Sequence, residues 1–239
     1  SPEDANMLET AKNKTGYFSP AFADPTVFIV NKKLAGDIKI TSFADLLNPA
    51  LKGKIAFGDP ANSSSAFQCL MAMLYSNGKN GDPMSPQAWA YVDNFIKNLD
   101  GKLLNSSGAV HKGAADGEYT VGLTWEDPAA TYVKNGADVA VVFPAEGAIF
   151  PGESVQIIKG AKHMENAKKF VDFMLSKKIQ EEAGKTLTVR PLRKGVALAD
   201  YMTPQDTIKV VPNYDEGWVS EYKKEIVAEW NKHLENSRQ

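Results

Sequence analysis

The sequence holds a single cysteine, Cys69, which leaves no intramolecular disulfide framework and no Cys-rich zinc site. Its histidines, His111, His163 and His233, stand far apart without ligand spacing, so a metalloenzyme is not suggested. No apolar run approaches the ~20 residues that span a bilayer, which excludes an integral membrane chain. Positive charge has no excess: 27 Lys and Arg stand against 29 Asp and Glu, for a net charge of −2. Without long basic runs, a nucleic-acid partner is not expected, because phosphates need a positive footprint. Also missing are G-x-G-x-x-G, a Walker loop, G-x-S-x-G and H-E-x-x-H, and no nucleophile–base pair is recognisable. The start, Ser1-Pro2-Glu3-Asp4, is acidic and polar rather than basic and then apolar as a signal peptide would be. Composition alone does not choose among a mature, a cytosolic and a fragmentary chain.

What is present belongs to a folded globule. Of 239 residues, 43% are hydrophobic and 23% charged, which argues against wholesale disorder. The length suits one large domain or two modest lobes. After an irregular segment over 1–24, Thr26 to Val30 is a short β-branched run and reads as a buried strand. Residues 41–53 predict a short helix, and Lys54 to Gly58 a second strand. Ser64 to Tyr75 has helical spacing, with Phe67, Leu70, Met71 and Leu74 on one face. Ser85-Pro86 opens another helix carrying Trp89, Val92, Phe95, Ile96 and Leu99. A small-residue helix over 108–116 leads to a strand over 119–124. A helix over 128–134, a strand over 139–143, a run over 154–158 and helices near 163–176 and 177–186 follow. Residues 187–213 look loop-rich, and 215–235 predicts one amphipathic helix. Alternating strands and helices imply an α/β protein with a largely parallel or mixed sheet. Ligands in such sheets bind beyond the strand carboxyl ends, which points to loops 59–65, 105–108 and 125–128.

Three constellations fall there. Asp59-Pro60-Ala61-Asn62-Ser63-Ser64-Ser65-Ala66 sets several hydroxyls beside the free N–H groups of a helix start, an anion-binding arrangement. A serine there can also simply cap the helix, which accounts for one hydroxyl more easily than for three. Trp125-Glu126-Asp127-Pro128 follows a strand; the indole can stack on an apolar face while the carboxylates accept from hydroxyl or ammonium donors. Equally, Asp127 can cap a helix with Pro128 in its first position, and Trp125 can be core. Neighbouring carboxylates of this kind make a poor glycosidase pair. Asn105-Ser106-Ser107-Gly108 is a further strand-to-helix junction, again either a donor set or a cap. Arg190-Pro191-Leu192-Arg193 can hold an anion or lie in a surface loop, and Glu146-Gly147 can face the same cleft or form a turn. His111 is expected on a helix surface, and Cys69, Met71 and Met73 in the core. Ligand holding is thus better supported than catalysis.

The stretches DPTVFIVNKKL, TSFADLLNPALKGKIAFGDPANSSSAF, DGEYTVGLTWEDPAA, VQIIKGAKHMENAKKFVDFMLSKKIQE and VRPLRKGV resemble the extracellular solute-binding proteins of ABC importers. They are most similar to the ferric-iron branch, which also contains binders of hexose phosphates and phosphonates. The resemblance covers essentially the whole chain, whereas family members carry several dozen further residues before the region of Ser1. It therefore implies a two-lobed α/β fold of the type 2 periplasmic binding protein, with lobe one incomplete. Residues 1–28 and 152–239 would form lobe one and 29–151 lobe two, with hinges near 27–31 and 150–154 and closure on a bound ligand.

The ferric branch uses a tyrosine pair after the strand that here spans Gly117 to Gly122. This sequence has Trp125-Glu126-Asp127 in that neighbourhood and no Tyr-Tyr, which argues against iron. The matching positions imply a phosphorylated small molecule, best a hexose phosphate. Ser63, Ser64 and Ser65 would take the phosphate, Ser107 and Gly108 would add contacts, Trp125 would pack on the sugar, and Glu126 and Asp127 would read its hydroxyls. Glu146 is included as a ligand contact. The alternatives are 2-aminoethylphosphonate or ferric iron, and, further off, an enzyme acting on a phosphate ester. No cofactor and no resident metal are expected, and the chain is expected to be a monomer. The resemblance places it in the periplasm or outside the cell, free or membrane-tethered, with an ABC permease as partner.

Overall fold

In the computed structural model, residues 1–9, 12, 13 and 15–238 are described. The irregular segment expected over 1–24 includes Thr10, Ala11 and Lys14, which lie outside the described residues. In chain order the elements are β1 (Ser19–Ala23), β2 (Thr26–Asn31), α1 (Lys32–Ala35), β3 (Ile55–Ala56), α2 (Ser64–Asn77), α3 (Pro86–Leu99), α4 (Ser107–Ala115) and β4 (Val121–Trp125). They continue with α5 (Glu126–Lys134), β5 (Val139–Val142), β6 (Gly152–Val155), α6 (Met164–Leu175), α7 (Lys177–Thr186), β7 (Arg190–Pro191), α8 (Glu216–Glu221) and α9 (Lys223–Asn236). Short 3-10 turns lie at Pro2–Asn6, Ala44–Leu47, Pro49–Leu51, Lys79–Gly81 and Gln205–Thr207.

The chain divides into two compact units. One comprises Ser1–Pro25 and Phe150–Pro204, the other Thr26–Ile149 and Gln205–Gln239. Residues 205–239, expected with 152–204 in one lobe, group with the second of these units. The reason is apolar burial: Ile226 and Trp230 of α9 are fully buried in the second unit's core, Trp230 with its ring 5.8 Å from that of Phe57.

The first unit has a three-stranded antiparallel sheet in the order β6-β1-β7. Met7, Phe22, Val171, Leu175, Ala183 and Leu192 form its core with two alanines of β1. Gln180, fully buried on α7, ties this core together. Its amide donates to Met174 O at 3.1 Å and accepts from Leu192 N at 3.1 Å.

The second unit carries a four-stranded sheet in the order β3-β4-β2-β5. Only the β3–β4 pair is parallel, extended by a parallel bridge between Gly58 and Leu104. The sheet is mixed, and the largely parallel alternative is not what forms: β2 lies between β4 and β5 and runs against both. Side chains alternate across it. Phe28, Val30, Val121 and Leu123 join the core built with α2, α3 and α9. Val27, Ile29 and Val139 face the other way and pack with Ala114 of α4 and Ala129 of α5.

Local departures from expectation have local causes. The helix predicted over 41–53 is a pair of 3-10 turns. Pro49 holds Asn48 extended at ψ 124°, and the Asp45 carboxylate takes the amides of Thr41 and Ser42 at 2.8 and 2.9 Å. The strand predicted over 54–58 shortens to two residues. The single C-terminal helix is broken at Tyr222, whose ring stacks on Trp218 at 4.9 Å. Cys69, Met71 and Met73 are core, as expected of their residue types.

Candidate functional site

Parallel pairing brings three helix starts to one edge of the second unit's sheet. The chain leaves β3 into the 58–63 loop and α2, leaves Leu104 into α4, and leaves β4 directly into α5. The same edge holds Thr26, paired with Trp125, and Ile149, whose backbone exchanges hydrogen bonds with Thr26 at 3.0 and 3.1 Å. Both residues are points where the chain passes from one unit to the other.

The α2 start is shaped by Asp59. Its carbonyl accepts from Asn62 and Ser63, and its carboxylate accepts from the Ala61 amide and the Asn62 side chain. Ser63 is the cap, its Oγ accepting from Ala66 N at 3.4 Å and lying 3.1 Å from the Oγ of Ser65. Ser65 is 2% exposed, while Ser64 is exposed in the first helical position. The three hydroxyls therefore have three different jobs, and Ser64 is the one open to solvent.

At α4 the cap is Ser106, whose Oγ accepts from Ala109 N at 3.2 Å. Ser107 is half-buried and Gly108 exposed in the first turn. Neither α2 nor α4 has an acidic residue in its first turn, so beyond the serine caps no first-turn carboxylate offsets either positive helix end.

The α5 start is the opposite case. Trp125 occupies the cap position without a side-chain cap bond, and the helix begins at Glu126. Asp127 thus stands in the second helical position and Pro128 in the third, which corrects the expected Asp127 cap. The strand runs into the helix with no intervening loop, and Pro128 is tolerated because first-turn N–H groups have no intrahelical acceptor. Glu126 is 2% exposed; Trp125 and Asp127 are half-buried.

Glu146 lies apart from these groups in its bonding. Both its carboxylate oxygens accept from the Phe43 amide, at 3.0 and 3.1 Å, which fixes the 41–43 turn. Arg190 and Arg193 are not in a surface loop. Arg190 is 1% exposed and donates to Thr203 O at 3.0 Å, and Arg193 donates to Glu3 at 2.5 Å and to Leu175 O at 2.6 Å, all within the first unit.

His111 was expected on a helix surface, yet it is half-buried where α4, β4 and α5 meet. Its Nδ1 lies 3.5 Å from Thr124 Oγ1, and its ring centroid lies 5.8 Å from that of Tyr132. Burial pushes its pKa below the ordinary value, and the nearby Asp127 carboxylate works against that shift. Sequence reasoning placed this residue on the surface and gave it no part in the site. The signal available was its spacing, four residues beyond Ser107 and so on the same helix face. Among the described residues, no group of three or more His, Cys, Asp or Glu side chains could hold a metal ion. Likewise, no helix among them is long and apolar enough to cross a membrane.

A family described as bacterial extracellular solute-binding protein matches residues 3–209. The chain belongs to this family. Among curated relatives, this solute-binding protein is 30% identical over 187 residues to the spermidine/putrescine-binding periplasmic protein of Escherichia coli, covering 77% of this chain and 52% of that one. It is 28% identical to an uncharacterised protein of Haemophilus influenzae, over 93% of this chain and 64% of the relative. The chain thus spans between about half and two thirds of the length of these relatives. Among solved structures, it is similar to the periplasmic binding protein AfuA from Actinobacillus pleuropneumoniae with fructose 6-phosphate bound. The TM-score is 0.82 at 26% identity, over 98% of this chain and 75% of that one. The two-lobed α/β fold of the periplasmic binding proteins follows from this likeness. The family is one of extracellular solute-binding proteins, and similar solved structures include periplasmic binding proteins.

Proposed function

We propose that the protein is the solute-binding component of an ABC importer and captures a phosphorylated small molecule, most suitably a hexose phosphate. Capture is by closure of two lobes about segments near 27–31 and 150–154, and delivery is to a membrane permease. One observation carries the ligand reading. Two hydroxyl-rich helix starts with no acidic residue in their first turns share a sheet edge with an indole followed by two carboxylates. The first pair suits an anion, through free N–H donors and the positive helix ends. The Trp125-Glu126-Asp127 segment suits the hydroxyls and apolar face of a sugar.

A second reading is favoured by the same acidic segment and by the polyamine-binding relative: a ligand carrying ammonium groups, with Glu126 and Asp127 as acceptors. Calorimetry on the intact protein with glucose 6-phosphate, glucose, 2-aminoethylphosphonate and spermidine separates them. Preference for the phosphate over free glucose is the expected result. Equal affinity for both overturns the anion role, and binding of spermidine alone overturns the phosphorylated-ligand reading.

Ser64→Asp is the matching variant. An acid in the first turn of α2 favours the helix, so folding is retained while a nearby dianion is repelled. Glucose 6-phosphate affinity should fall about tenfold or more, the effect of one carboxylate charge on a dianion at about 5 Å under water-like screening. Unchanged affinity removes Ser64 from the site.

A further inference from the structure

We infer that His111 is a further member of this site, a positioning residue whose proton uptake is coupled to arrival of a dianionic ligand at the start of α4. The inference rests on the phosphorylated-ligand reading above and deepens it. His111 lies four residues after Ser107 and three after Gly108, on the same face of α4 and about 6 Å along the axis from the helix start.

Three elements close on its ring. The β4 strand presents Thr124, which is uncharged and fully buried, with its hydroxyl 3.5 Å from Nδ1. From α5 come Asp127, the carboxylate acting on the imidazole, and Tyr132, whose ring is 5.8 Å away. On α4 itself the neighbouring cation, Lys112, is paired with Asp116. Burial outweighs Asp127 and keeps the imidazole neutral near pH 7.

A dianion about 8 Å away alters this balance. Even under water-like screening it raises the proton affinity of an imidazole by close to one pH unit. Linkage makes the effect reciprocal, so protonated His111 binds the dianion about sixfold more tightly than neutral His111. Ligand affinity therefore rises as the pH falls through the range just below 6.5. Without ligand the sign for stability is the reverse. The folded-state pKa is depressed, so the neutral form is favoured in the folded protein and acidification through that range lowers stability.

The test is a pH titration of the imidazole CH signals of the intact protein by NMR, with and without saturating glucose 6-phosphate. His111→Asn assigns the His111 signal, and His163 and His233 serve as internal references. The expected result is an upward shift of about one unit for His111 on ligand addition. Calorimetry at pH 5.5 and 8.0 should show an additional loss of about threefold or more in affinity in the parent protein relative to His111→Asn. That comparison cancels the titration of the phosphate itself. Binding with an unmoved His111 signal overturns this inference and leaves the ligand reading standing. Failure of glucose 6-phosphate to bind at any pH overturns both.

Discussion

Gly122→Ala places one methyl group against the helix that carries the 106–108 cluster. Gly122 sits in β4, paired with Ile29 of β2 on one side and Ala56 of β3 on the other, so the strand has no freedom to shift. A Cβ there would lie 3.0 Å from Val110 Cγ1, 3.1 Å from Ile29 Cγ2 and 3.2 Å from Val110 O. Two of these contacts belong to α4, and one is backbone that cannot swing away. Ordinary van der Waals separation would require α4 to move off the sheet by several tenths of an ångström. Overpacking of this kind costs about 1–3 kcal/mol. Removing a glycine from a strand interior returns roughly 0.5–1 kcal/mol. The net expectation is a loss of about 1–2 kcal/mol, together with weaker glucose 6-phosphate binding as Ser107 and Gly108 are displaced. Urea denaturation followed by tryptophan fluorescence is the suitable assay, because Trp89, Trp125, Trp218 and Trp230 all lie in the second unit. An unchanged or raised midpoint would refute the claim that α4 is packed at its closest approach.

Two further outcomes are expected. Trp230→Ala should destabilise the second unit by about 3–5 kcal/mol, because the indole is fully buried against Phe57 and its loss leaves a cavity; a loss below about 1 kcal/mol in the same urea assay would show that residues 205–239 do not share that core. Glu146→Ala should cost about 1–3 kcal/mol by leaving the Phe43 amide without its acceptor. Its glucose 6-phosphate affinity should change less than about threefold. A tenfold loss of affinity at unchanged stability would instead place the Glu146 carboxylate on the ligand.

Much of the element order was legible because periodicity and caps are local. Ser63, Ser85 and Ser106 each cap the helix they precede, accepting from the amide three residues on. The apolar faces of α2 and α3 point inward as their spacing implied. What could not be seen were effects of partners distant in sequence. Asp127 reads as a cap with Pro128 behind it, yet the helix begins two residues earlier, at Glu126, because β4 leads straight into it. Glu146 reads as either a turn residue or a cleft acid, and its carboxylate accepts from an amide 103 positions away. His111 reads as surface, yet Thr124 and Tyr132 enclose it once β4 and α5, the next two elements of the chain, fold back against α4.

By itself the sequence settled which residue types stand at each strand-to-helix junction, since a hydroxyl, an indole or a carboxylate needs no neighbour to be what it is. Tertiary structure decided which of them share an edge, through the parallel pairing of Ile55 with Val121 and of Gly58 with Leu104. It also decided which are already occupied. Strand pairing and burial depend on contacts between residues far apart in the chain, and no local pattern encodes them.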